Sequence, residues 1–167
     1  MYLCYFYFES KATYMFDEQD RTILARLTEN ARVSWAELAQ ELGLSAPAVA
    51  ERVKRLRQRG VIRGFHAVLD PPSLGLGLTA FISVSLAHPR DRAEFLKTVR
   101  KRGEVKEAHH LAGEDDYLMK VHCRDTAHLE HLLTDILKSV KGVQRTRTSI
   151  VLGTVKELAT VTPGAVY

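Results

Sequence analysis

Residues 34–59 constrain the fold of this chain more than any other stretch. They read as two short helices joined by a tight turn at Gly43, the second running into a basic tail. Ser34 is placed to cap the first helix, and Glu37 three residues later completes a capping box. Ser45 is placed to cap the second, and Pro47 suits a first turn, where a missing N–H costs little. Ala39 is small enough for a close helix crossing, and Gly43 tolerates the left-handed backbone of a sharp turn. Leu38, Leu42, Leu44, Val49, Val53 and Leu56 form the expected buried seam. This is the grammar of a helix-turn-helix, whose second helix enters the DNA major groove.

Charge placement separates this reading from an ordinary helical hairpin. From Arg52 to Arg63 the chain carries Arg52, Lys54, Arg55, Arg57, Arg59 and Arg63 with no acidic residue among them, whereas Asp17 to Glu51 is net acidic. A merely solvated face mixes its signs more often. The net charge is only +4 over 167 residues, so an anionic partner has to be met by a local patch. Hydrophobic content of 46% and charged content of 26% place the chain among globular proteins rather than disordered ones. Cys4 and Cys123 form no CxxC pair, which favours a reduced, cytoplasmic protein without a structural disulfide. No apolar run is long enough to span a membrane.

Five segments follow in order. Residues 1–14 are an atypical aromatic-rich extension without the features of a secretory signal, and Met15 is the expected natural start. Residues 15–64 form a three-helix winged helix-turn-helix unit, opening with a helix over 17–30 that turns Ile23, Leu24 and Leu27 to one side. Within the stretch 60–70, glycines and apolar alternation predict a short hairpin or wing leading into a linking strand, and 65–77 ends in the Pro/Gly-rich joint Pro71 to Gly77. Residues 78–157 change grammar to βαββαβ: strands over 79–86, 105–111, 117–122 and 144–152, with helices over 91–101 and 126–140. That order is the ferredoxin-like split unit, so the whole chain is an α+β protein. Both helices must cover one sheet face, which leaves Phe81 on the other and makes dimerisation through the sheet the expectation. Residues 158–167 are a C-terminal tail.

The sequence resembles the leucine-responsive regulatory protein and asparagine-operon regulator (Lrp/AsnC, feast/famine) family of transcription factors. The resemblance runs from Met15 to about Glu157 and is carried by Phe16 to Leu24, Leu44-Ser45, Arg52 to Leu56, Gly60 to Ile62, Asp70-Pro71, Leu74-Gly75, Gly113 to Tyr117 and Thr146 to Leu152. It implies a DNA-binding half and a ligand-sensing half of the RAM, ACT-like kind. It also implies a dimer built on the sheets, often assembled into an octamer of four dimers. A small-molecule effector, usually an amino acid, would bind between dimers near the Gly113–Tyr117 turn. No resident cofactor is implied.

The candidate contacts to double-stranded DNA are Ser34, Ser45, Ala46, Pro47, Ala48, Glu51, Arg52, Lys54, Arg55, Arg59 and Arg63. Arg52, Arg55, Arg57, Arg59 and Arg63 suit phosphates, although Arg52 equally suits an internal brace. Glu51 suits a cytosine amino group and Lys54 a guanine, so base readout is modest and DNA shape contributes. The candidate effector contacts are Gly113, Glu114, Asp115, Asp116, Tyr117, Thr146 and Thr148. Gly113 suits either close approach of a ligand or a simple hairpin turn. Asp115 and Asp116 suit either an ammonium group or a solvated turn. His109, His110, His122, His128 and His131 gather in the same half, with His128 and His131 on one helix face, but no well-spaced cysteine joins them and no metal is expected. Competing readings are a stand-alone metabolite-binding module and a ferredoxin-like enzyme without regulatory DNA binding. No nucleophile elbow, phosphate loop or zinc-protease motif supports the enzyme.

Overall fold

A computed structural model describes residues 16–158, so the expectations for the extension 1–14, for Met15 and for most of the tail lie outside the described residues. The chain divides into two units, with the boundary at Ala67/Val68 inside the predicted linking segment.

The first unit holds helices α1 (Glu18–Glu29), α2 (Trp35–Leu42) and α3 (Ala46–Gln58). Each starts on the residue its chemistry favours. The Asp17 side chain accepts the Asp20 N–H at 2.7 Å, Ser34 and Glu37 close the reciprocal capping box, and the Ser45 hydroxyl accepts the Ala48 N–H at 3.3 Å. Gly43 ends α2 at φ 65°, the left-handed conformation that a residue with a Cβ adopts at a cost. Ile23 and Leu27 of α1 bury against Leu38 and Ala39 of α2 and Val49, Val53 and Leu56 of α3, with Leu42 and Leu44 partly buried beside them. The predicted seam is therefore the core of the unit.

Beyond α3 the chain differs from expectation. Val61 and Ile62 fold back onto the α3 carbonyl of Leu56 and pack on the core, but residues 63–70 form neither hairpin nor strand. Alternating apolar residues mark a segment able to pair; a ladder also needs a free edge beside it, and the sheet of this chain includes no strand from 60–70. Val68 and Leu69 are left exposed.

The second unit is a four-stranded antiparallel sheet in the order β2-β3-β1-β4, built from β1 (Leu78–Leu86), β2 (Val105–His110), β3 (Tyr117–Cys123) and β4 (Val143–Ile150). Helices α4 (Arg92–Arg100) and α5 (Thr126–His131) make the two crossovers. This is the predicted split βαββαβ unit. Period-two alternation sends Ala80, Ile82 and Val84 of β1 and Tyr117, Met119, Val121 and Cys123 of β3 into one core with Phe95, Val99, Leu129 and Leu132. Phe81 lies on the opposite face, as expected, at 38% exposure.

The helix expected over 126–140 is regular only to His131. Leu132–Leu137 is π-helical, with the Lys138 N–H donating to the Leu133 carbonyl five residues back. Leu132, Ile136, Leu137 and Val140 are all buried there. No helix among the described residues is long and apolar enough to cross a membrane.

Candidate nucleic-acid interface and effector turn

Helix α3 buries Val49, Val53 and Leu56 and so turns Pro47, Glu51, Lys54 and Arg55 outward. Ala46 and Ala48 flank this face half-buried, with Ser45 exposed as the cap. Ser34 is occupied by its own helix start: its hydroxyl accepts the Glu37 N–H at 3.2 Å and lies 2.8 Å from the Glu37 carboxylate. Glu51 and Lys54 pair with each other at 3.5 Å on the exposed face. Arg59 and Arg63 are exposed near the end of the helix and beyond it. Gln58 shares the outward face through the positions i, i+4, i+7 and i+11 from Pro47; helical period alone was enough to find it.

Arg52 departs from the predicted phosphate set. Its guanidinium donates to Asp17 at 2.7 Å, to Asp20 at 2.8 Å and to Gln19 at 2.6 Å, and its side chain is only 20% exposed. It braces α3 against the start of α1. The reason is positional: on the α3 wheel Arg52 stands beside the buried stripe, within reach of acids that close the first turn of α1. The hydrogen bond from the Asp20 N–H, together with Arg52, holds the Asp17 carboxyl below its ordinary value of 3.8, and the same pairing raises Arg52.

In the second unit the Gly113–Tyr117 turn joins β2 to β3, and its two aspartates are structural anchors. Asp115 accepts from the Ser85 hydroxyl at 2.8 Å and from Arg145 at 3.2 Å, with Arg147 at 3.6 Å. The Ser85 hydrogen bond first, and the two arginines after it, lower its pKa. Asp116 accepts the Leu86 N–H at 2.6 Å through its carboxylate, while its own N–H donates to the Val84 carbonyl at 2.9 Å. Neither is a loosely solvated turn residue. Glu114 is exposed, 3.7 Å from Arg147. A side chain at Gly113 would meet open space, so nothing in this chain crowds that position.

Tyr117 is a core residue, 2% exposed, with its ring 4.8 Å from Phe95 and 5.1 Å from His110. Its buried hydroxyl has no hydrogen-bond partner. Thr146 and Thr148 lie opposite Val84 and Ile82 on the helix-covered side of β4, whereas Arg145 and Arg147 alternate onto the side of Ser85 and Asp115. One chain therefore does not bring the predicted threonines to the predicted carboxylates. It makes instead an open polar recess of Ser85, Glu114, Asp116, Gln144 and Arg145. Gln144 and Arg145 were not foreseen, because only the register of β4 on β1 brings them to the turn.

The histidines do not converge. The Arg124 N–H donates to His128 Nδ1, and His128 Nε2 faces Glu104 at 3.3 Å. His131 pairs with Asp135 at 2.7 Å, and His122 Nδ1 lies 2.9 Å from the Thr79 hydroxyl. Among the described residues no three potential ligands are arranged to hold a metal ion.

A capped helix-turn-helix with a cationic outward face, followed by a ferredoxin-like unit with a charged turn, defines a DNA-binding regulator with a separate sensing domain. Comparison with known proteins agrees. Residues 16–57 match the AsnC-type helix-turn-helix domain and residues 79–161 the Lrp/AsnC ligand binding domain. The chain is 41% identical over 143 residues to the proline dehydrogenase transcriptional activator of Rhizobium radiobacter, covering 84% of this chain and 92% of that protein. It is 34% identical over 139 residues to the regulatory protein AsnC of Escherichia coli K12, covering 83% and 91%. Among solved structures, a Neisseria meningitidis transcriptional regulator in complex with L-methionine superposes with a TM-score of 0.82 at 37% identity, over 87% of this chain and 96% of that one. Escherichia coli AsnC superposes with a TM-score of 0.83 at 33% identity, over 90% and 100%. The chain belongs to the Lrp/AsnC family and is a helix-turn-helix transcriptional regulator.

Proposed function

We propose that this regulator controls genes of amino-acid metabolism in the cytoplasm and changes its DNA binding when an amino acid occupies the sensing unit. The observation that carries the reading is the recess beside the Gly113–Tyr117 turn, where Arg145 lines the same open site as Glu114 and Asp116. A zwitterion needs one cation for its carboxylate and one carboxylate for its ammonium group. Related proteins support this choice of ligand: two of the matched structures hold L-methionine. Glu114 and Asp116 of the Gly113–Tyr117 turn line one side of the proposed site, while Tyr117 is buried in the core. Thr146 and Thr148, on the other side of β4, would belong to it only through a second copy of the chain.

The working assembly is a dimer through the open sheet face around Phe81, and dimers associate further, up to an octamer of four. No catalytic residues are assigned. An effector alters regulation only by binding two states unequally, with coupling typically about 1–3 kcal/mol. Isothermal titration with L-methionine and the other common amino acids, followed by mobility shift on the gene's own upstream DNA with and without the binder, tests the reading. At least one amino acid should bind and shift the DNA midpoint by roughly 5- to 150-fold. Binding by none refutes the sensing role and leaves the DNA-binding role standing.

A further inference from the structure

A second feature of the DNA-binding unit lies outside the outward face of α3. Trp35, the first residue of α2, and Phe65, beyond the end of α3, remain 36% and 40% exposed. With Ile62 they line a groove along one flank of α3, and its charged rim consists of Lys54, Arg57 and Arg63. No carboxylate lines it. The other flank of α3 is different: there Arg55 and Arg59 share a recess with Arg52, Asp17 and Asp20, so part of the positive charge is answered internally. Lys54 and Gln58 belong both to the groove and to the outward face, so the two surfaces are continuous.

We propose that this groove holds the sugar-phosphate backbone of one strand of duplex DNA, with Lys54, Arg57 and Arg63 on phosphates and the rings of Trp35 and Phe65 against deoxyribose. The inference rests on the reading of α3 as the helix that enters the major groove. An α-helix with its side chains is about 10–12 Å across and the major groove about 12 Å wide. A helix seated there fills it, and the two backbones pass along its two flanks. On this flank only the exposed Lys54–Glu51 contact at 3.5 Å has to give way to a phosphate, whereas the other flank holds the closer pairs of Arg52 with Asp17 and Asp20. Exposed aromatic rings beside cations suit a ligand that alternates apolar sugar with charged phosphate. A second copy of this chain is the poorer occupant: a two-fold contact through the groove would set Lys54, Arg57 and Arg63 against the same cations, and like charges across an interface oppose association.

Trp35 is the single tryptophan of the sequence, so its emission reports the groove alone. The full-length chain is titrated with a short mixed-sequence duplex at low ionic strength, where backbone contacts dominate binding whatever the sequence. Anisotropy of a labelled duplex and Trp35 emission with acrylamide quenching are followed together. The expected result is a change in Trp35 emission and a loss of quenching that saturate at the anisotropy midpoint. Arg57→Ala should lower the log–log salt slope by about 0.9. Trp35→Ala should weaken binding several-fold, with Trp35→Phe keeping most of it, and the Phe variant unfolding at the parent temperature.

A saturated complex in which Trp35 emission and quenching do not change overturns the groove and spares the DNA-binding reading. Trp35 emission that depends on protein concentration without DNA overturns it in favour of a second copy. Absence of any anisotropy change at low ionic strength overturns both.

Discussion

Arg52 and Arg55 stand three residues apart on the same helix and are expected to behave in opposite ways. Arg52 is held by Asp17, Asp20 and Gln19. Arg52→Met removes charge-assisted hydrogen bonds and leaves Asp20, 15% exposed, without its cation. We expect a loss of about 1–3 kcal/mol in stability of the DNA-binding unit, read by thermal unfolding. Acid acts on the same bond. The Asp17 pKa is lowered in the folded chain, so its contribution is present above the ordinary value of 3.8 and disappears as pH falls through the folded value. Arg55 is exposed on the outward flank. Arg55→Ala should leave unfolding unchanged, weaken operator and unrelated DNA alike, and lower the salt slope by about one in mobility-shift titrations. A loss confined to the operator would contradict a phosphate role. In the sensing unit, Asp116→Ala leaves the Leu86 N–H without its acceptor. A cost of about 1–3 kcal/mol in chemical denaturation is expected, distinct from any effect on ligand binding.

At the scale of the element, Gly142 shows how one backbone position joins two requirements. It immediately precedes β4 at φ 90°, and a Cβ built there would meet the Asp91 side chain ahead of α4. Its carbonyl also accepts the Ala87 N–H at 2.8 Å, closing the end of β1. Gly142→Ala combines a positive-φ penalty with a clash, and we expect more than about 2 kcal/mol of destabilisation in the sensing unit by calorimetry. On β3, alternation places Lys120 on the open sheet face at 9% exposure, ion-paired to Glu157. His122, two residues on, is held below its ordinary value of 6.5 by burial and by the Lys120 and Lys106 charges. The unfolded chain therefore takes up the proton first as pH falls below about 6.5, and the sensing unit should lose stability from there down to the lowered folded value. His122→Gln should flatten that profile in thermal melts. A profile unchanged by the substitution would remove His122 as its source.

For the whole molecule, the proposed two-fold assembly would let each DNA-binding unit read one half-site, with specificity coming from the pairing of two units. The outward face of α3 offers Pro47, Glu51, Lys54 and Gln58, a thin set for direct base readout. A two-fold assembly would meet half-sites one helical turn apart, or a multiple of that. Inserting about 5 base pairs between half-sites should abolish the gain from the second, and inserting about 10 should restore most of it. Footprints that ignore this phase would contradict assembly through the open sheet face.

The sequence by itself determined the helix ends, the buried faces of the strands and the order of elements, which rest on local chemistry and period. Ser34, Glu37, Ser45 and Gly43 mark helix ends because capping and left-handed turns depend on the residues at the end itself. Alternation at Ala80, Ile82 and Val84 placed the buried face, and the order of elements placed the split sheet. Tertiary structure alone decided the partners of long side chains. Arg52 lies 35 residues from Asp17, and Asp115 30 residues from Ser85 and from Arg145, distances over which no periodic pattern carries information. It also decided the π-helical stretch at Leu132–Leu137 and the unpaired course of residues 63–70. Hydrophobic pattern states which side of an element seeks cover; a ladder or an ion pair forms only when folding brings the second group within a few ångströms.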